Sequence, residues 1–125
     1  MKELFDKVCA DCSRNVTKTY STSFSLATRM LSKNIRQDIY NIYGFVRFAD
    51  EIVDTFHNYD KEILLNRFID ELEYSLKNDI SLNPILNSFQ ITVKKYNIDK
   101  HLIDSFLSSM RLDLEKKEYS NYEDY

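Results

Sequence analysis

Apolar residues recur along the chain in blocks with a helical period, and the strongest block covers residues 35–56. Ile35, Ile39, Ile42, Phe45, Val46, Ala49, Ile52, Val53 and Phe56 fill well over half of a helical circumference. That predicts a helix at the centre of a bundle, because a surface helix needs only one apolar stripe. Leu4, Phe5, Val8, Cys12 and Val16 predict an amphipathic helix over 3–17 with those residues inward. The hydroxyl-rich segment 18–23, Lys-Thr-Tyr-Ser-Thr-Ser, offers no core face and predicts a turn, followed by a short helix over 24–31. Ile63, Leu64, Phe68, Leu72 and Leu76 form the stripe of a helix over 61–78. Two more helices are expected over 84–95 and 99–118, with an irregular tail at 119–125.

Start signals fit these boundaries. Ser32, Asp60 and Asp99 are short polar side chains that can accept from free backbone N–H groups. Asn83-Pro84 places Pro at a first helical position, where its missing N–H costs nothing. Ile98 and Ile103 stand where a hydrophobic staple would clasp the last helix.

Composition strengthens the all-α reading. The chain holds one glycine (Gly44) and one proline (Pro84) in 125 residues, too few for the tight turns of a β fold. Hydrophobic residues make up 43%, enough for a packed core. A net charge of −3 with scattered lysines argues against a nucleic-acid partner. No apolar run approaches the ~20 residues of a membrane span, and acidic Glu3 interrupts any signal-peptide pattern. The expectation is a cytoplasmic protein, soluble or touching a membrane only at its periphery. Cys9 and Cys12 form a C-x-x-C without a second pair to complete a zinc site, and read as two thiols on a helix.

Chemistry is concentrated on the central helix. Tyr43, Arg47, Asp50 and Asp54 are spaced 4, 3 and 4 and share one stripe. Two carboxylates one turn apart repel, and on a largely buried helix they call for a neutralising cation. Mg²⁺ suits such a pair, since it prefers oxygen ligands and is commonly shared between carboxylates and substrate phosphates. Arg47 stands one turn earlier, placed to hold a phosphate oxygen. Glu51 beside Asp50 favours the plainer alternative, a solvated acidic face. The turn at Tyr20-Ser21-Thr22-Ser23-Phe24 precedes a short helix whose N-terminus favours anions. It also reads as an ordinary capped turn.

The run Tyr20-Ser-Thr-Ser-Phe24, followed by Ile42-Tyr43-Gly-Phe-Val-Arg47-Phe-Ala-Asp50-Glu-Ile-Val-Asp54, resembles the squalene/phytoene synthase family, with the look of its bacterial phytoene synthases. The stretch from Phe106 through Asp113-Leu114 to Tyr119 is similar to the family segment leading into later helices. The resemblance implies an all-α, isoprenoid-synthase-type helical bundle. Residues 1–125 would form the N-terminal portion of a single domain whose C-terminal half is a missing partner. It implies head-to-head joining of two isoprenoid diphosphates: geranylgeranyl diphosphate to phytoene through a cyclopropyl diphosphate, in carotenoid biosynthesis. A squalene or dehydrosqualene synthase acting on farnesyl diphosphate is the alternative.

By the same resemblance Asp50 and Asp54 are the catalytic, metal-holding pair, for Mg²⁺ or Mn²⁺. Arg47, Ser21 and Ser23 bind diphosphate, and Tyr43 and Phe24 line the substrate cavity. Phe45 and Phe48 are further wall candidates that read more readily as ordinary core packing. No nicotinamide cofactor is expected. A second acidic pair has no match here; Asp70, Glu71 and Glu73 read as a solvated face, as does Asp113, and His57 and His101 as isolated surface residues. A fragment of this kind is expected to be inactive alone. Two other readings stand beside the enzyme: a non-catalytic helical binding module, and a generic bundle with a chance motif. Tyr119, Tyr122 and Tyr125 are expected to pack on the missing half.

Overall fold

The structure, a computed structural model, describes the backbone of residues 1–123 and the side chains of residues 1–116. The expectation for Tyr119, Tyr122 and Tyr125 therefore lies outside the described side chains. Among the described residues there are six helices and no strand: α1 (Lys2–Tyr20), α2 (Thr22–Arg29), α3 (Lys33–Asp54), α4 (Lys61–Asn78), α5 (Pro84–Tyr96) and α6 (Lys100–Glu123).

The boundaries follow the local chemistry. Ser21 Oγ accepts from the Phe24 N–H, Ser32 from Asn34 and Asp60 from Ile63. Asn83 accepts from both Ile85 and Leu86 behind Pro84, and Asp99 accepts from His101. Asp79 and Asn97 close α4 and α5 in the left-handed conformation, at φ 64° and 50°. Asn and Asp tolerate that region better than other side-chain-bearing residues.

Two boundaries differ from the sequence expectation. α1 continues through Tyr20, so Ser21 alone joins it to α2. Of the hydroxyl run only Thr19 and Tyr20 fall inside α1, and the Ser21 N–H closes its last turn by donating to the Thr17 carbonyl at 2.9 Å. α6 runs on to Glu123 through the expected irregular tail, which contains neither Gly nor Pro to stop it.

α3 lies in the middle and touches all five other helices. Phe45 anchors the core, stacked on Phe89 at 3.9 Å and near Phe68 and Phe106 at 5.6 and 5.5 Å. Phe45 is thus a packing residue. The inward faces of α1 and α4 also need correcting. α1 buries Cys9, Ser13 and Thr17 and leaves Leu4 and Val8 exposed. These small residues let α1 approach α3 at Gly44, where an added Cβ would already lie 3.5 Å from Ser13 Oγ and from Ile85. α4 turns Leu65, Phe68 and Leu72 inward and leaves Ile63 in solvent.

The seam between α3 and α5 is polar. Asp38 is buried and accepts from Thr92, Lys95 and Tyr96 at 3.0, 2.7 and 2.8 Å. Asn41 donates to Thr92, and Gln37 ties Asn41 to the Ala10 carbonyl of α1. Burial pushes the Asp38 carboxyl up, but its three donors and the Lys95 charge outweigh this and hold it below the usual carboxylate range. A depressed folded pKa contributes stability above the unfolded value of about 3.9, and that stability is lost as pH falls through the folded value. Asp38→Asn is therefore expected to lower the melting temperature by several degrees at neutral pH and to flatten the acid limb of the stability profile. An unchanged acid limb in circular-dichroism melts across pH would contradict this.

Candidate functional site

The two sequence motifs meet in space. The Tyr20 ring lies under the Arg47 guanidinium, 4.7 Å from carbon to centroid. Phe24 stacks on Tyr43 at 4.9 Å. The hydroxyl turn at the end of α1 and start of α2 is thus laid along one turn of α3 by two aromatic contacts.

Arg47 Nη2 donates to Glu51 Oε1 one turn later on α3. Glu51 is 8% exposed, so the acid that suggested a solvated face is the buried one, made tolerable by its guanidinium partner. Glu51's hydrogen bond holds Arg47 even more firmly protonated than usual. Arg47 Nε is buried and has no hydrogen-bond partner.

Asp50 is half-buried and Asp54 is exposed. The burial expected for the pair thus holds in part for Asp50 and not for Asp54, the last residue of α3, which faces out while Glu51, Ile52 and Val53 of the same turn are buried. Asp50 makes no hydrogen bond or ion pair among the described residues. Burial pushes its carboxyl above the usual range, and the charges of Asp54, Glu51 and Asp113 push it further against the opposing pull of Arg47. Asp113, expected at the surface, is exposed, yet its α6 position is near enough to be felt at Asp50. No cluster of three or more His, Cys, Asp or Glu side chains that could hold a metal exists among the described residues. Among the described residues a cation here would draw on the two α3 carboxylates Asp50 and Asp54, with water and substrate oxygens completing its shell.

Ser21 serves as the N-cap of α2, and its hydroxyl proton remains available to donate outward. Ser23 is exposed two residues further on. Beside these residues lies a cleft of about 420 Å³ with a largely apolar wall. Tyr20, Phe48, Phe56 and Leu64 form part of that wall, with Glu51, Arg67, Glu71 and Asn83 as its polar residues. Phe48 lines it, although core packing was the stronger expectation there; Phe24 and Tyr43 stand next to Tyr20 and Arg47 and are not among its lining residues. Glu71, read as solvated, is half-buried and accepts from Ser81 Oγ at 2.7 Å. The i, i+4 spacing of Arg47 and Glu51 was the available signal for that pair; Arg67 and Glu71 share that spacing, but nothing in it placed them at a cleft. His57 and His101 are exposed surface residues.

A helical bundle with a central helix, an acidic pair at its end and an apolar cleft beside it is an all-α isoprenoid-synthase-type fold. The family description "Squalene/phytoene synthase" matches residues 17–125, and the chain belongs to that family. It is similar to phytoene synthase 1, chloroplastic, of Solanum lycopersicum, 26% identical over 99% of this chain and 29% of that protein. It is 27% identical to phytoene synthase 1, chloroplastic, of Zea mays over the same shares. The phytoene synthase of Narcissus pseudonarcissus is 24% identical over 99% of this chain and 28% of its own length. The chain thus spans less than a third of these relatives. No helix of the described residues is long and apolar enough to cross a membrane.

A raised folded pKa means that Asp50 favours the fold when protonated, below about 3.9, and that this contribution is lost as pH rises through the folded value. At neutral pH without divalent metal, the ionised carboxyl works against folding. Asp50→Asn should therefore melt slightly higher than the parent chain at pH 7 in chelator and no higher at pH 3. A variant that melts lower at pH 7 would show that Asp50 is compensated.

Proposed function

We propose that this chain supplies the first acidic motif and the diphosphate-binding turn of an enzyme that joins two geranylgeranyl diphosphates head to head, giving phytoene through a cyclopropyl diphosphate. The observation that carries this reading is the docking of the Tyr20–Phe24 turn on Tyr43 and Arg47, which brings the hydroxyls against the helix that carries Arg47, Asp50 and Asp54, while Tyr20 also lines an apolar cleft. The names of the relatives favour the C20 substrate over the C15 one.

The residues present fit Mg²⁺. Both donors are carboxylates, as a hard cation prefers, and Asp50 sits where its own negative charge is disfavoured. When bound there, Mg²⁺ supplies positive charge that offsets the charge growing on the leaving diphosphate. Asp50 and Asp54 hold that ion. Arg47, with an unpartnered Nε and a guanidinium already oriented by Glu51 and Tyr20, binds a diphosphate oxygen. Ser21 donates its hydroxyl proton to the same group, and the N-terminus of α2 with Ser23 favours its negative charge. Tyr20, Phe48 and Phe56 exclude water from the allylic cation and present aromatic faces to it, worth up to ~2 kcal/mol when desolvated.

The test uses the full-length gene product. With geranylgeranyl diphosphate and Mg²⁺ it should yield phytoene in a hydrocarbon extract. Asp50→Ala should lose about 10²-fold or more of that turnover, the scale of one lost electrostatic stabiliser, with unchanged helical circular dichroism. Mg²⁺ with inorganic diphosphate should raise the melting temperature of the parent protein and not of the variant. Undiminished phytoene from Asp50→Ala refutes the assigned role, and squalene-type product from farnesyl diphosphate alone refutes the substrate.

A further inference from the structure

A second surface, away from the acidic pair, combines unpaired cations with exposed apolar side chains. Arg14 of α1, Arg29 of α2, and Lys33 and Arg36 of α3 line one concavity of about 280 Å³ with Gln37 and Tyr40. That lining contains no carboxylate, and none of its four cations makes an ion pair among the described residues. The positive surface continues along α1 through Lys7 and Lys18, where the one acid, Asp11, is paired with Lys7. In a chain of net charge −3 this segregation is not the background composition.

The same short stretch carries large apolar residues in water. Met30 is 88% exposed and Leu26 56%, and Leu31 and Ile35 are also exposed. Leu26, Arg29 and Met30 lie at i, i+3 and i+4, so they share the outward side of α2, opposite buried Ser25 and Thr28. The corner between α2 and α3 is held in shape rather than loose: Ser32 caps α3, and Arg36 Nε donates to the Leu31 carbonyl at 2.9 Å.

We propose that this α2–α3 corner is a docking surface for an anionic lipid bilayer, with Leu26, Met30, Leu31 and Ile35 entering the headgroup region and Arg14, Arg29, Lys33 and Arg36 facing the lipid phosphates. Charge complementarity selects this occupant. A protein segment laid over the corner would bury several cations unless it brought matching acids. An anionic leaflet supplies many mobile negative groups and an apolar layer directly beneath them. Contact of this kind is peripheral, by side chains at one corner. It stands independently of the reaction proposed above, since it shares no residue with the acidic motif or the cleft.

The experiment is co-sedimentation of the full-length protein with vesicles of phosphatidylglycerol mixed with phosphatidylcholine, and with vesicles of phosphatidylcholine alone. Binding is expected to the first, to weaken with added salt, and to be much weaker to the second. Each basic residue near such a surface adds about fivefold to partitioning, so Arg29→Glu with Lys33→Glu should cost about 25-fold or more. Met30→Ser should cost about tenfold or more through lost apolar burial. Leu102→Ser, another exposed apolar position, on α6, should change nothing. All these positions are exposed, and unchanged thermal melts confirm folding. Equal binding to both vesicle types, or binding indifferent to the charge reversals and to Met30→Ser, overturns the proposal. So does light scattering that shows the corner closing a dimer, or acylation protection of Lys33 in the lipid-free full-length protein, which would show the rest of the chain seated there.

Discussion

A helix enclosed by neighbours must find a partner for each polar side chain it carries inward, and α3 is under that constraint along nearly its whole length. It touches every other described helix, so water cannot repair an unmet group on most of its circumference. Its N-terminal half meets the requirement with Asp38 and Asn41, both satisfied across the seam to α5. Its C-terminal half meets it at Glu51 through Arg47. What the other helices present to α3 follows from this: α5 brings Thr92, Lys95 and Tyr96, and α1 brings small residues and a carbonyl for Gln37.

The close approach of α1 is what makes the site geometry available. With Cys9, Ser13 and Thr17 inward, and Gly44 opposite Ser13, the two helix axes can draw together. The C-terminal end of α1 then delivers Tyr20 to Arg47. A single linking residue, Ser21, turns the chain so that Phe24 reaches Tyr43. Had α1 buried Leu4 and Val8, with their larger side chains, the hydroxyl turn would sit further from α3. The close packing of α1 on α3 at Gly44 thus goes with the placement of the turn against Arg47 and Tyr43.

That dependence explains which parts were legible in the sequence. Helix number and most boundaries were, because caps such as Asp60 and Asn83-Pro84 are local signals and α3's wrap-around apolar pattern has one economical reading. The inward faces of α1 and α4 were harder. Leu4, Val8 and Ile63 have the right period for a stripe, yet helix-to-helix distance selected the small Ser13 and Thr17 in α1, and a face centred on Leu65 in α4. Neither distance nor rotation is encoded in periodicity. The acidic pair, Arg47 and the hydroxyl turn were named from spacing and resemblance. Glu51 was read as a mark of a wet face because charge alone does not reveal that a partner one turn away has removed it from water. Arg67 and Glu71 reach the cleft only through the placement of α4, which no local pattern reports.

Asp50 and Glu51 are consecutive acids on one helix, and they are treated in opposite ways. Glu51, the more buried, has a guanidinium bonded to it; Asp50 sits among three other carboxylates that all disfavour its charge. A chain selected only for stability would have no reason to leave that difference, since replacing Asp50 by Asn would relieve it. Nor is the neighbouring arginine fully used, for its buried Nε has no partner. An acid held against its charge and a cation with a spare donor, adjacent on the same helix, are complementary deficits. The Mg²⁺–diphosphate pair proposed above would meet both at once, the cation at Asp50 and the anion at Arg47. The local departures from best packing are thus concentrated where an ionic ligand of that composition would fit.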